Sequence, residues 1–192
     1  MQLITRIELE VKSMQGARAQ LYDLIVRYGY FAGGQFTLSS GETSDIYFDL
    51  RRVTMHPRGA SVISHLMLER LPDIDAAGGM ESGAIPIATA IALQSGTIRA
   101  FFVRKEGKMH GRRRLVEGCL KNGDIVGIVE DVTTSGRSVL SAIRAVEQLD
   151  CTVAKVISVL DRQSGAEELI KSAGYRFESL YVASDFTTAQ NH

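Results

Sequence analysis

The run from Ile125 to Val139, IVGIVEDVTTSGRSV, limits the possible folds more than any other part of the chain. Its opening residues, Ile125-Val126-Gly127-Ile128-Val129, are apolar and mostly β-branched, with no polar alternation. Such a run reads as a strand buried on both faces, the kind found in parallel sheets covered by helices. Two carboxylates follow at once, Glu130 and Asp131, and then Thr133-Thr134-Ser135-Gly136-Arg137-Ser138. Val139, Leu140, Ile143 and Val146 next recur at helical spacing. The order is therefore strand, acid pair, small polar loop, helix. Strand-like and helix-like segments alternate along the rest of the chain as well, which implies an α/β fold with a mostly parallel central sheet flanked by helices.

That order carries a chemical expectation. A helix N-terminus presents unpaired N–H groups and the positive end of the helix dipole, and so favours anions. Thr133, Thr134, Ser135 and Ser138 add hydroxyl donors, and Gly136 allows close backbone approach. A phosphate monoester suits this loop. The acids would repel it unless they face something else, and vicinal sugar hydroxyls or a Mg²⁺ ion are both suitable targets. Phosphate on one side and a diol on the other describe a ribose 5-phosphate. The plainer alternative is a capped helix after a core strand with solvated acids. No GxxxxGK[ST] is present, and no GxGxxG follows a strand, so neither a Walker-type loop nor a dinucleotide site is expected.

Composition narrows the class. The chain has 192 residues, enough for one domain with a sizeable core. Lys plus Arg equals Asp plus Glu at 22 each, which argues against general nucleic-acid binding. Cys119 and Cys151 supply neither a disulfide framework nor metal-ligand spacing, so a reduced, cytoplasmic protein is expected. No apolar run is long enough to span a membrane, and Glu8 and Glu10 interrupt any signal-peptide core.

Taken in order, residues 17–28 place Leu21, Leu24, Ile25 and Tyr28 on one helix face, with Gly29 as the expected C-cap. Gln35 to Arg52 predicts a hairpin around a Ser-Ser-Gly-Glu-Thr-Ser turn. A helix is expected over 58–71, ended by Pro72, and a short strand over 74–78. Gly78 to Gly83 then forms a glycine-rich turn before a helix over 84–94. A strand over 98–103 leads into RKEGKMHGRRRLVEG, Arg104 to Gly118, which has almost nothing apolar to pack. A basic loop of that length with internal glycines suits a closing lid over a polyanion, although charge alone favours a solvated loop, with a nucleic-acid patch as a further alternative. The remaining elements are a strand over 152–160 ending in Asp161-Arg162, a helix over 166–173 capped by Gly174, a strand over 175–182 and a helical turn over 184–190.

Three stretches share wording with a known family. IVGIVEDVTTSGRS resembles the phosphoribosyl pyrophosphate-binding motif of type I phosphoribosyltransferases. FTLSSG..S..YFDLR resembles the hood hairpin of orotate phosphoribosyltransferases, and RKEGKMHG with the downstream Glu117-Gly118 resembles their mobile catalytic loop. The Asp161-Arg162 pair also matches, in the family's order. The resemblance spans nearly the whole chain. It implies a single type I phosphoribosyltransferase domain with an N-terminal hood over roughly residues 17–52, Mg²⁺ dependence and a homodimer. The implied activity joins orotate to the ribose 5-phosphate of phosphoribosyl pyrophosphate, in the synthesis of uridine monophosphate.

The resemblance also implies residue roles. Arg104, Lys105, Lys108 and His110 would neutralise pyrophosphate, with Lys105 reaching the neighbouring subunit's site and His110 a candidate acid. Glu81, Ser82 and Gly83 would hold pyrophosphate from the other side. Glu130 and Asp131 would hold the ribose hydroxyls, and the loop from Val132 through Ser138, with Arg137, would hold the 5′-phosphate. Thr134, Arg162, Tyr47 and Phe48 would meet orotate. Mg²⁺ would be held mainly through the substrate, with Asp131 a candidate ligand. Ser39 stands where the family often carries Lys. A phosphoribosyltransferase for another base, such as a purine, should lack the hood wording, the RKE.K.HG loop and the Asp-Arg pair. A non-catalytic regulator on the same fold, sensing nucleotides or binding RNA, could dispense with the lid lysines and would show a larger basic surface.

Overall fold

The computed structural model describes residues 15–37, 43–105 and 115–187. A first helix, α1, covers 15–24 and passes into a π-helical turn, Ile25–Gly29. Gly29 is not the expected left-handed cap. The chain runs straight on into a strand, and the Tyr30 N–H donates to the Ile25 carbonyl. Two strands, β1 (Tyr30–Thr37) and β2 (Thr43–Phe48), form an antiparallel hairpin that starts five residues earlier than the expected Gln35. A register shift between Ala32 and Phe36 explains the miss, because the extra residues around Gly33 break the alternation that marks a strand. A short helix α2 (Arg51–Thr54) and α3 (Pro57–Leu68) follow, with Pro57 opening α3 and the His56 side chain accepting the Arg58 N–H.

The main sheet has six strands in the order β5-β4-β3-β6-β7-β8. They are β3 (Ala76–Met80), β4 (Arg99–Val103), β5 (Val116–Gly118), β6 (Ile125–Thr133), β7 (Thr152–Asp161) and β8 (Phe177–Val182). All neighbouring pairs are parallel except β4 with β5. Helices α4 (Ala84–Ser95), α5 (Arg137–Glu147), α6 (Ala166–Ser172) and the turn α7 (Ser184–Thr187) complete the chain. The expected α/β architecture is the one observed. Alternate residues of β6 go to opposite cores. Val129 joins α3, α4 and the hairpin, while Val126 and Ile128 join α5 and α6. Burial of both faces is why these strands carry apolar runs instead of alternation.

Two expectations shift. The strand placed at 74–78 lies at Ala76–Met80, so Gly78 and Gly79 are strand residues and the turn is confined to Glu81–Gly83. A Cβ on Gly78 would overlap the Phe101 carbonyl oxygen, and one on Gly79 the Val129 carbonyl oxygen. These glycines permit close approach to the neighbouring strands, and their residue type resembled a turn. The basic loop also ends sooner than Gly118. Leu115 and Val116 pack against the α5–α6 core, and Val116–Gly118 pairs with β4 as an edge strand. Residues 106–114, which hold Lys108 and His110, lie outside the described residues, as do Ser39 and the arm before residue 15. Among the described residues no helix is long and apolar enough to cross a membrane.

Candidate active site

The C-terminal ends of β3, β4 and β6 open on one side of the sheet, where ligands bind in parallel α/β folds. A cavity of about 360 Å³ lies there. Its walls come from residues 47–51 between β2 and α2, Met80–Gly83 after β3, Lys105 after β4, the end of β6 with its loop through Gly136, and the start of α5. The topology thus brings together most of the residues singled out in the sequence: Tyr47, Phe48, Glu81, Ser82, Gly83, Lys105, and Glu130 through Gly136 with Ser138. Arg104, Arg137 and Arg162 do not line it. The Arg104 N–H donates to the Leu115 carbonyl, Arg137 is the exposed first residue of α5, and the Arg162 N–H donates to the Thr133 carbonyl beneath the loop.

The loop and α5 form an anion-binding corner. Gly136 is left-handed, with φ 75°, and turns the chain into α5. No side chain caps this helix and its first turn holds no acid, so its leading N–H groups keep their positive end. Thr134, Ser135 and Ser138 are exposed at the opening. Thr133 differs from the expectation for its hydroxyl. Its Oγ1 is buried and donates to Asp161 Oδ1 at 3.2 Å, which ties the loop base to the end of β7. Asp161 also accepts the Gln163 N–H at 3.1 Å, and burial above all raises its carboxyl from the usual range. Of the Asp161-Arg162 pair, the acid thus acts inside the protein, as the anchor of the loop base.

The acid pair is asymmetric. Glu130 is 8% exposed, and burial first, then the Asp131 charge, push its carboxyl well above the usual range. The two acids are also joined through the backbone, where the Asp131 N–H donates to Glu130 Oε1 at 3.1 Å. Asp131 is half-buried, and its Oδ1 accepts the Val132 N–H at 2.8 Å. Gly83 fits beside them only because it lacks a side chain: a Cβ there would overlap Asp131 Oδ1 and crowd Glu130 Oε1. The Glu81–Ser82 peptide before it is cis. Glu81 Oε1 accepts the Lys105 N–H at 2.9 Å, so the turn after β3 and the end of β4 are joined, and Lys105 borders its own chain's cavity.

Among the described residues no group of three His, Cys, Asp or Glu side chains converges as a metal cage. A half-buried carboxylate, Asp131, beside an anion-binding corner does fit Mg²⁺ in the manner of phosphate enzymes, where substrate oxygens and water supply most ligands. At the hairpin the two aromatics differ. Phe48 is 6% exposed and packs edge-on against Phe186 and tilted against Tyr30. Tyr47 is half-buried and stacks on Phe36 with ring centroids 5.5 Å apart. Of the pair, Tyr47 offers the ring surface for a planar ligand. Asp49, Leu50, Arg51 and Met80 also line the cavity and received no role from the sequence. The signal for Asp49 and Arg51 was present in YFDLR, a charged pair directly after an aromatic strand end.

No family model matches the chain. Individual proteins do. The orotate phosphoribosyltransferase of Rhodopseudomonas palustris (strain TIE-1) is 44% identical over 184 residues, covering 91% of this chain and 98% of its own. The crystal structure of Mycobacterium tuberculosis H37Rv orotate phosphoribosyltransferase in complex with Fe(III) dicitrate superposes with a TM-score of 0.79 at 42% identity, over 89% of this chain and 99% of the other. The crystal structure of the M. tuberculosis protein in complex with 5-phospho-α-D-ribosyl 1-diphosphate gives 0.75 at 39% identity, over 88% and 98%. With a type I phosphoribosyltransferase architecture, an acid pair beside an anion-binding corner, and relatives matched along almost their full length, the chain belongs to the orotate phosphoribosyltransferase family.

Proposed function

We propose that the cavity carries out Mg²⁺-dependent transfer of ribose 5-phosphate from 5-phosphoribosyl 1-pyrophosphate to orotate, giving orotidine 5′-monophosphate and pyrophosphate. One observation carries the residue roles: the uncapped N-terminus of α5 and the carboxyl pair at the end of β6 open into the same cavity. The loop from Val132 to Ser138 takes the 5′-phosphate through backbone N–H groups and the hydroxyls of Thr134, Ser135 and Ser138. Glu130 and Asp131 take the ribose hydroxyls. N1 of orotate gives its electron pair to C1 and loses its proton, while the C1–O electron pair leaves with pyrophosphate. The sugar passes through a state with oxocarbenium character, which the acid pair helps balance.

Lys105, with Arg104, Lys108 and His110 of the following loop, neutralises the leaving group, and Glu81–Gly83 support it from the other side. Mg²⁺ would be held mainly through substrate oxygens, with Asp131 as the candidate protein ligand, and would supply positive charge at the pyrophosphate. Tyr47 and Phe48 flank orotate under a hood formed by roughly residues 17–52, and Thr134 and Arg162 meet its polar edge. Arg162 suits that carboxylate because its fork matches two oxygens. The enzyme works as one domain, in a homodimer in which Lys105 serves the neighbouring site, in the reducing cytoplasm that suits two free cysteines.

The test is orotate consumption, followed by its ultraviolet absorbance. Loss of absorbance that requires orotate, 5-phosphoribosyl 1-pyrophosphate and Mg²⁺ together is expected. No loss with folded protein overturns the orotate reading, and adenine and hypoxanthine are then the bases to try.

A further inference from the structure

Arg51 is the first residue of α2 and one of two cations on the described cavity wall; Lys105 is the other. The guanidinium is clamped at its base. Nε donates to Asp49 Oδ1 at 3.0 Å, and the Asp49 N–H donates to the Gly29 carbonyl at 2.8 Å, which fixes the clamp to the end of the first helix. The two terminal nitrogens of Arg51 have no hydrogen-bond or ion-pair partner among the described residues. The result is a planar fork held at one end and open at the other, a form suited to phosphate or carboxylate oxygens. Arg52 is no substitute, because its guanidinium lies over the Phe31 ring at 5.4 Å.

The charge of the wall says what this fork is for. Asp49, Glu81, Glu130 and Asp131 line the cavity against Arg51 and Lys105. A wall so acidic is poor for a polyanion unless each cation meets it directly. The 5′-phosphate has the α5 N-terminus, whereas the pyrophosphate has Lys105 and the turn at Glu81–Gly83. Arg51 lines the same cavity as Asp131, the carboxylate that packs beside Gly83 of that turn. A ribose held by Asp131 puts its C1 substituents in the cavity that the open end of Arg51 also lines. We propose that the open end of Arg51 binds the pyrophosphate of the sugar donor, with Asp49 as the positioning residue that aims the fork. This rests on the reading of the cavity as a phosphoribosyltransferase site.

The test compares wild type, R51Q, R51K and D49N. The Arg51 side chain is 54% exposed, so the variants should fold, with unchanged circular dichroism and melting temperature as the check. Calorimetry measures binding of inorganic pyrophosphate and, separately, of ribose 5-phosphate; steady-state kinetics gives KM for each substrate. R51Q is expected to weaken pyrophosphate binding and raise KM for the sugar donor by about 10- to 100-fold, the worth of a charge-assisted contact. Ribose 5-phosphate binding and KM for orotate should stay within about twofold of wild type. R51K should recover part of the loss, and D49N should show a smaller loss in the same direction. A rise in KM for orotate alone assigns Arg51 to the base's carboxylate and overturns the proposal, as does unchanged pyrophosphate binding in R51Q. If wild type consumes no orotate, the parent reading fails, and pyrophosphate calorimetry still decides the role of Arg51.

Discussion

Glu130 shows how far a residue's neighbours can change its chemistry. Its adjacency to Asp131 was plain in the sequence; its burial was not, because the folded chain, with Gly83 packed against the pair, covers one acid and leaves the other half-exposed. The raised carboxyl has a consequence for stability. Between the ordinary value near 4.5 and the higher folded value, the folded chain holds a proton that the unfolded chain has lost. Stability contributed by Glu130 is therefore full below that window and is lost as pH rises through it. In the unliganded protein Glu130→Gln should flatten this part of the pH profile and raise the melting temperature at neutral pH, while turnover falls sharply. A melting temperature that drops in parallel with wild type from pH 5 upward would remove the buried-acid account. Thr133 teaches the same lesson in reverse: a hydroxyl in a phosphate motif reads as a ligand donor, yet its bond to Asp161 is internal.

At the level of elements, close approach between backbones explains most departures from the sequence reading. β3 pairs with β4 and β6 so tightly that two of its five residues are glycine. Gly79→Ala forces a methyl against the Val129 carbonyl and the Ala84 side chain, and overpacking of this kind costs about 1–3 kcal/mol or more. Chemical denaturation should show a lower midpoint with an unchanged slope; an unchanged midpoint would mean the strands have slack there. The order of strands and helices, the β6–loop–α5 unit and the hairpin were all legible from apolar periodicity and turn residues. The start of the hairpin was not, because its bulge breaks the alternation, and the edge strand at Val116 was not, because two apolar residues beside a long charged run give too little pattern. The cleanest match is the end of α6. There Gly174, with φ 92°, and Tyr175 return their N–H groups to Lys171 and Ile170, the bonds expected after a glycine that ends a helix.

For the molecule as a whole, the first question is which cavity Lys105 serves. In the single chain it borders its own, exposed just past the end of β4. Mixing Lys105→Ala protein with Asp131→Asn protein after dissociation and reassociation answers it. If Lys105 crosses between subunits of a dimer, half the dimers are hybrids with one intact site each, and activity should recover to about a quarter of wild type. Activity that stays at the level of the separate variants assigns Lys105 to its own chain. The hairpin has a different kind of dependence. Among the described residues it shares no sheet hydrogen bonds with the main body, and Phe48 on its inner side meets Phe186 of α7, which in turn stacks on Tyr22 of α1 at 4.8 Å. On the ribosome, Phe48 is made long before Phe186. Part of the underside of the hairpin thus waits without its partner until nearly all of the described chain has left the exit tunnel, and the wall beside Tyr47 can take its final seat only then. A nascent chain stalled before residue 186 would carry a formed β3–β6 core and an unseated hairpin, so protease should reach the hairpin in such a chain well before it reaches the core.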